Sequence, residues 1–285
     1  MTEDARQKAP RHGVGILWIW IVLSAIAVPL VIWVLGPHLP PGRMSKEASD
    51  QTDANTVMTA LLTPIVLIVL VYFIYSLVVF RAKGDTVEDG EPIRGHGPTT
   101  LGWIVLTSVI VLSLAFWGSY TLVESARGAG GGQGPSPAFK PQGVKTALPI
   151  QVIAQQWNWT FRFPTYHAFQ TRELEIPVNQ VVAFHVTSLD VTHSFWAYEL
   201  GVKADAVPGV DNIAYVRPRK TGRFMIRCAE LCGLWHGHMA LHGRVVSQSD
   251  FHTWAVKELA LNRKIIPYLG PFERAYFPEP KHRAG

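Results

Sequence analysis

Cys228-Ala-Glu-Leu-Cys232-Gly-Leu-Trp-His236-Gly-His-Met239 packs two thiols, an imidazole and a thioether into twelve residues. Thiolate and thioether are soft ligands that suit copper(I) or zinc, imidazole suits both, and a methionine in the set shifts the balance towards copper. The stretch reads as a copper site. A disulfide between Cys228 and Cys232 is the alternative in an oxidising compartment. So short a bridge closes almost no chain and adds little stability, and it leaves His236 and Met239 unexplained. There is no Cys-x-x-Cys-His, so a covalently attached c-type haem is excluded.

Upstream of this stretch, from Leu148, short runs rich in Val, Ile, Phe and Trp alternate with turn residues, the pattern of an all-β sandwich or barrel. Strands are expected at Ile150 to Ala154, Trp157 to Phe163, Glu173 to Ile176, Val181 to Ser188, Asn212 to Arg217, Gly222 to Arg227 and His242 to Ser247. Pro177-Val-Asn-Gln180, Pro208-Gly209 and Lys220-Thr-Gly222 supply turns. About seven strands in a hundred residues suggests a Greek-key sandwich. His193, in Asp190-Val-Thr-His-Ser-Phe-Trp196, then falls at the end of a strand. One early His and a late Cys-His-Met loop is the arrangement of the blue-copper sites.

Further upstream, residues 14–35, 57–80 and 101–123 contain no Asp, Glu, Lys or Arg. Each is long enough to cross a hydrocarbon core of about 30 Å as a helix. Arg6, Lys8 and Arg11 precede the first run, and Arg81, Lys83 and Arg94 lie between the second and third. By the positive-inside rule the N-terminus is cytoplasmic and everything after Val123 is extracytoplasmic. A secretory signal cut near Ala25-Ile-Ala27 is the rival reading, although the apolar run continues through Trp33, past the usual signal core of about 7 to 15 residues.

The expected organisation is a cytoplasmic N-terminus with an extra transmembrane helix over 1–36, which is either a signal anchor or a docking helix. A loop and a two-helix membrane hairpin follow over 37–125. A Gly/Pro-rich linker over 126–147 leads to a cupredoxin-like copper domain over 148–250, and a C-terminal helix and tail fill 251–285. The fold class is thus a membrane α-helical N-terminal part plus an all-β sandwich. The formal net charge is +5, yet residues 150 to 250 carry nine Lys or Arg against eight Asp or Glu. An outer domain so close to neutral argues against nucleic acid as a partner.

With Gln156-Trp-Asn-Trp159, Asp190-Val-Thr-His-Ser-Phe195, Asp205-Ala-Val-Pro-Gly209 and Cys228-x-Glu-x-Cys232-Gly-x-x-His236-x-x-Met239 all present, the chain resembles subunit II of the haem-copper cytochrome c oxidases. The resemblance implies a binuclear copper A centre. Cys228 and Cys232 would bridge two coppers, His193 and Met239 would complete one, and His236 with the backbone carbonyl of Glu230 the other. The Glu230 side chain would face a magnesium ion at the junction with subunit I. Trp157 would be the aromatic through which electrons come in, and Glu199, Asp205 and Asp211 lie where family members attract a basic cytochrome c. The implied partners are subunits I and III and a cytochrome c donor. The implied setting is a prokaryotic cytoplasmic membrane, and the overall reaction is reduction of oxygen to water coupled to proton translocation.

The chain departs from the family pattern in three places. The second aromatic that usually follows Trp157 is Asn158. The family's Leu-Glu-x-x-Trp proton-path motif becomes Leu101-Gly102-Trp103 without a carboxylate, leaving Asp89 or Glu91 as substitutes. The first span is additional to the usual two. His238 and His242 read as rim histidines, and Asp190 as an orienting residue that is not itself a ligand. Three rivals stand beside the oxidase reading: a quinol oxidase subunit, which would lack the copper ligands; a nitric oxide reductase partner; and a membrane-anchored copper carrier, which would need neither Glu230 nor Trp157.

Overall fold

A computed structural model describes residues 12–81, 95–127, 146–264, 266 and 281–282. Among the described residues three helices are long and apolar enough to cross a membrane: α1 (His12–Leu30), α2 (Lys46–Val79) and α3 (Gly97–Arg127). Pro29, which lacks the N–H that an α-helix needs, precedes a wider π-helical turn over Val31–Leu35. α1 runs antiparallel to α2, with His12 Nδ1 at 2.9 Å from the Tyr75 hydroxyl and the Trp20 indole donating to the Pro64 carbonyl at 2.7 Å. The loop holding Lys83, Asp89, Glu91 and Arg94, the basic residues before His12, and most of the expected linker lie outside the described residues.

The chain divides into two compact units, residues 1–39 with 53–116, and residues 40–52 with 117–285. In the second unit, two sheets face each other. One has the order β11-β8-β5-β1-β2-β3, built from β1 (Leu148–Gln155), β2 (Asn158–Phe163), β3 (Phe169–Thr171), β5 (Val182–Ser188), β8 (Val210–Val216) and β11 (Lys281–His282). The other has the order β4-β10-β9-β6-β7, from β4 (Leu174–Pro177), β6 (His193–Ala197), β7 (Val202–Ala206), β9 (Gly222–Cys228) and β10 (Ala240–Val246). Parallel pairing of β1 with β5 and of β4 with β10 closes the sandwich in the cupredoxin-like manner.

The core is aromatic. Phe195 on β6 has ring centroids 5.1 Å from Phe184, 5.7 Å from Trp159 and 6.4 Å from Phe161. Such edge-on and tilted pairs add to the burial of large rings. Helix α4 (Gln248–Asn262) packs Phe251 and Trp254 against Phe163 and Phe169. Its N-cap is Ser247, whose hydroxyl accepts from the Asp250 N–H at 3.1 Å, and the helix begins at Gln248, ahead of the expected 251.

The strand count exceeds the expected seven, because β3, β6, β7 and β11 also form among the described residues. The placement of His193 needs correction. It does not terminate the strand that ends at Ser188 but opens β6, in the opposite sheet.

The stretch read as a plain loop after α1 is built into the sandwich. Ser45 donates to the Leu200 carbonyl at 2.7 Å and accepts from the Ala48 N–H at 2.9 Å. Gln51 reaches the Gly201 carbonyl at 2.8 Å, and the Arg219 N–H donates to the Met44 carbonyl at 2.7 Å. Gly201 has φ +66°, and a Cβ there would lie 2.8 Å from both Cα and N of Ala48. Gly201→Ala is therefore expected to cost about 2 to 3 kcal/mol through clash and a left-handed backbone. Thermal unfolding of the detergent-solubilised chain tests this; an unchanged Tm would contradict the tight seating of Ala48.

Candidate metal centre

The site forms where three strand ends meet. Phe195 pairs with Cys228 across β6 and β9, which brings His193 beside the last residue of β9. The loop from 229 to 239 leaves and returns at one point, since the Cys228 N–H donates to the Met239 carbonyl at 3.0 Å. The Ala229 N–H donates to the Ser194 carbonyl at 2.9 Å and ties the loop to the histidine strand.

Cys228 and Cys232 are both free and buried, with sulfurs 3.7 Å apart. Cys228 Sγ lies 3.8 Å from His193 Nδ1 and 3.2 Å from the Glu230 carbonyl oxygen. Cys232 Sγ lies 3.5 Å from His236 Nδ1 and 3.9 Å from Met239 Sδ. One ligand atom from each of His193, Cys228 and Cys232 falls within 4.8 Å of the others. This donor set is soft and wholly nitrogen and sulfur apart from one carbonyl, which fits copper and suits neither calcium nor magnesium. The Glu230 side chain is exposed, as are His238 and His242.

Asp190 is the orienting centre beneath the histidine. Its carboxylate accepts from His193 Nε2 at 2.9 Å, from the Gln156 N–H at 2.7 Å, from the Val191 N–H at 2.7 Å and from the Ser188 hydroxyl at 3.2 Å. The bond at Nε2 leaves Nδ1 of His193 facing the Cys228 sulfur, the usual way in which an outer carboxylate fixes a metal-binding imidazole. Partial burial works against the Asp190 charge, but the bonds from Gln156, His193, Val191 and Ser188 outweigh it and lower its pKa. Burial also resists a charged His193, yet the bonds to Cys228 and Asp190 raise its pKa.

The two thiols respond in opposite directions. Burial opposes ionisation of Cys228, but contacts with His193, with the backbone at Ser194 and Glu230 and with Cys232 bring its pKa down to about 6. Cys232 is pushed up to about 12, by burial first and then by the neighbouring Cys228. Two sulfurs this close titrate as a pair, with one proton leaving easily and the second held.

Other elements support the loop. The Cys232 carbonyl accepts from Gln156 Nε2 at 2.9 Å and from the Trp157 indole at 3.2 Å, and Trp159 Nε1 lies 3.4 Å from the Met239 carbonyl. Gly233 has φ +114°, and a Cβ there would lie 3.1 Å from Gln156 Nε2 and 3.2 Å from Trp157 Cζ2. The roles of Gln156 and Ser188 escape sequence reasoning, although Gln156 sits inside the Gln-Trp-Asn-Trp motif. Trp157 is half-buried against the loop. The three acids expected to face a donor have partners within the domain. Glu199 accepts from the Met225 N–H at 2.6 Å, Asp205 from the Ser194 hydroxyl at 2.8 Å, and Asp211, only 7% exposed, pairs with His185 Nδ1 at 2.8 Å.

Fold and site together define a cupredoxin-like domain with a buried His/Cys/Cys cluster that could hold a metal ion, on a chain with helices of membrane-crossing length. More particularly, residues 169–246 match the family described as "Cytochrome C oxidase subunit II, periplasmic domain", and the chain resembles cytochrome c oxidase subunit II. It is 26% identical to cytochrome c oxidase subunit 2 of Thermostichus vulcanus over 88% of this chain and 89% of that protein. It is 38% identical to the probable cytochrome c oxidase subunit 2 of Rickettsia prowazekii, over 41% of this chain and 45% of that protein. Among solved structures it is similar to the periplasmic domain of subunit II of cytochrome oxidase of Bradyrhizobium japonicum, at 32% identity and TM-score 0.39, covering 40% of this chain and 94% of that one.

Asp190→Asn is expected to lower copper affinity about 10- to 100-fold, since the carboxylate that orients the His193 imidazole is lost. Competition against a copper chelator measures this. With Cys228 at about 6 and Cys232 at about 12, one thiol proton must leave when metal binds at mildly alkaline pH. Apparent affinity should accordingly rise about tenfold per unit between about pH 8 and pH 10. A flat profile in that window would mean that both thiols are already ionised.

Proposed function

We propose that this chain is the electron-transfer subunit of a terminal cytochrome c oxidase. It would take single electrons from cytochrome c outside a prokaryotic cytoplasmic membrane and pass them to haem in subunit I. There oxygen is reduced to water with proton translocation, and subunit III completes the core complex. The observation that carries the reading is the pair of buried free thiols 3.7 Å apart, each with its own imidazole within 3.8 Å, on a domain that matches the subunit II family.

His193, Cys228, Glu230 through its carbonyl, Cys232, His236 and Met239 would hold a binuclear copper A centre. His193 and Met239 would hold one copper and His236 with the Glu230 carbonyl the other, with Cys228 and Cys232 serving both. Such a pair would supply a centre that takes up single electrons with little reorganisation. The chain's own part is to hold these donors still. Backbone bonds clamp both ends of the loop, and the fixed loop keeps water from the sulfurs. Trp157 is the electron-accepting aromatic; its indole bond to the Cys232 carbonyl supports that role. The exposed Glu230 carboxylate is offered to a magnesium ion at the subunit I junction.

The N-terminus is cytoplasmic and the sandwich extracytoplasmic, in keeping with the basic residues around the first span. Gly102 lies exposed on α3, and a Cβ added there would meet nothing within 4 Å, so among the described residues no side chain fills the place of the family's glutamate. Proton uptake then depends on another group, for which Asp89 and Glu91 are the nearest acidic choices in sequence.

Copper loading followed by electron paramagnetic resonance tests the reading. Hyperfine splitting from two equivalent coppers is expected, and Cys232→Ser should abolish it while the chain stays folded. A mononuclear spectrum from the unaltered protein would rule out the shared-electron centre. Identifying the chains that copurify from membranes then separates an oxygen-reducing complex from one that reduces nitric oxide.

A further inference from the structure

We propose that α1 is a permanent helix of the mature chain, seated along α2 by an interface that contains Ala27, so that the chain is not cut there as a secretory signal would be. The inference goes beyond the electron-transfer reading and does not depend on it. Half-buried positions on α1 recur every four residues, at His12, Ile16, Trp20, Ser24 and Val28, and continue at Val31 in the next turn. Such spacing makes one stripe along a helix. A matching stripe of half-buried or buried positions runs along α2 at Thr56, Ala60, Thr63, Leu67, Val71 and Tyr75. Away from these stripes the side chains are open, with Trp18 61% and Val22 52% exposed.

Three contacts fix how the stripes meet. His12 Nδ1 lies 2.9 Å from the Tyr75 hydroxyl, and its ring meets Phe80 edge-on with centroids 5.1 Å apart. The Trp20 indole donates to the Pro64 carbonyl at 2.7 Å. A Cβ on Gly36 would lie 2.6 Å from Thr56 Cγ2, so the turn after α1 passes tightly against α2. Partners on α2 descend from 75 through 64 to 56 as those on the first segment ascend, which is an antiparallel seating along the whole span. No water in hydrocarbon could take the indole N–H, and a proline inside a membrane helix is tolerated where a neighbouring helix helps to satisfy the backbone around it.

This interface bears directly on the Ala25-Ile-Ala27 stretch. Ala27 and Val28 are both half-buried in the α1 stripe, and small residues such as Ser24 and Ala27 are those that let membrane helices approach closely. The backbone is helical through Leu30 and passes directly into the π-helical turn and the turn over Gly36–His38. An enzyme that binds its substrate as an extended strand needs main-chain groups that a helix has already paired. Ala27 is fifteen residues beyond His12. That is about 22 Å along the axis, inside a hydrocarbon core of about 30 Å when His12 sits at its edge. Cutting there would also remove the ties of His12 and Trp20 to α2.

The test uses the full chain purified from membranes with whatever subunits accompany it. Mass spectrometry of its peptides should recover one that spans Ala27 and Val28 uncut, and a mature chain that starts at Val28 overturns the proposal. A protease site inserted between Leu39 and Pro40 then separates docking from mere tethering. After cleavage in mild detergent, the fragment carrying α1 should stay with the rest of the chain through gel filtration. Its release overturns the seating.

Trp20→Phe keeps a ring and removes the N–H, and Tyr75→Phe removes only the hydroxyl. Each should weaken retention of the fragment about threefold, the size of one interhelical hydrogen bond, and the double variant about tenfold. Unchanged retention in the double variant would mean that partner subunits hold α1 instead, and overturns its seating on α2. The spectrum of the copper-loaded chain reports on the electron-transfer reading separately, so failure of either inference is seen without the other.

Discussion

Two thiol sulfurs held 3.7 Å apart out of water are the constraint to which the sandwich is built. Left to themselves, such groups would either repel as thiolates or drift apart as thiols. The domain prevents both with backbone and side-chain contacts around the loop. The Cys228 N–H is fixed on the Met239 carbonyl, the Ala229 N–H on the Ser194 carbonyl, and the Cys232 carbonyl by the side chains of Gln156 and Trp157. Each bond contributes only about 1 kcal/mol net. Together they fix a glycine-containing loop, because the anchors lie on β6, on β9 and in the turn between β1 and β2.

Electrostatics follow from that placement. Asp190 receives four hydrogen bonds and passes its charge to the site through His193, whose other nitrogen faces Cys228. Hydrogen bonds from His193, the backbone and Cys232 lower the pKa of Cys228 against its burial, while burial and then the neighbouring Cys228 raise that of Cys232. Were a metal to bind, Cys228 would be ready as a ligand near neutral pH, whereas Cys232 would join only when a cation nearby made its ionisation favourable.

Much of the site was readable from the sequence because its donors are chemically rare and closely spaced. The loop from Cys228 to Met239 carries its own meaning, and His193 could be added because a sandwich brings distant strand ends together. What sequence could not supply was the sheet to which His193 belongs. Strands β6 and β7 were missed for identifiable reasons. His-Ser-Phe-Trp-Ala is buried at four of its five positions and so lacks alternation, while Val-Lys-Ala-Asp-Ala carries alanines of low strand preference. The inward ties of Glu199, Asp205 and Asp211 were equally invisible. An acidic residue bonded to a backbone N–H on a distant strand looks the same in sequence as one facing water. The seating of residues 40–52 had no signal either, since its polar composition is that of any loop.

That seating bears on how the chain is connected. Residues 40–52 belong to the sandwich unit, so the chain passes between the two units three times, after Leu39, after Thr52 within α2 and after Phe116 within α3. The chain that α1 delivers to Ser45 is tied by hydrogen bonds to the Leu200–Gly201 turn, so this part of the sandwich unit is held by contacts as well as by chain connectivity.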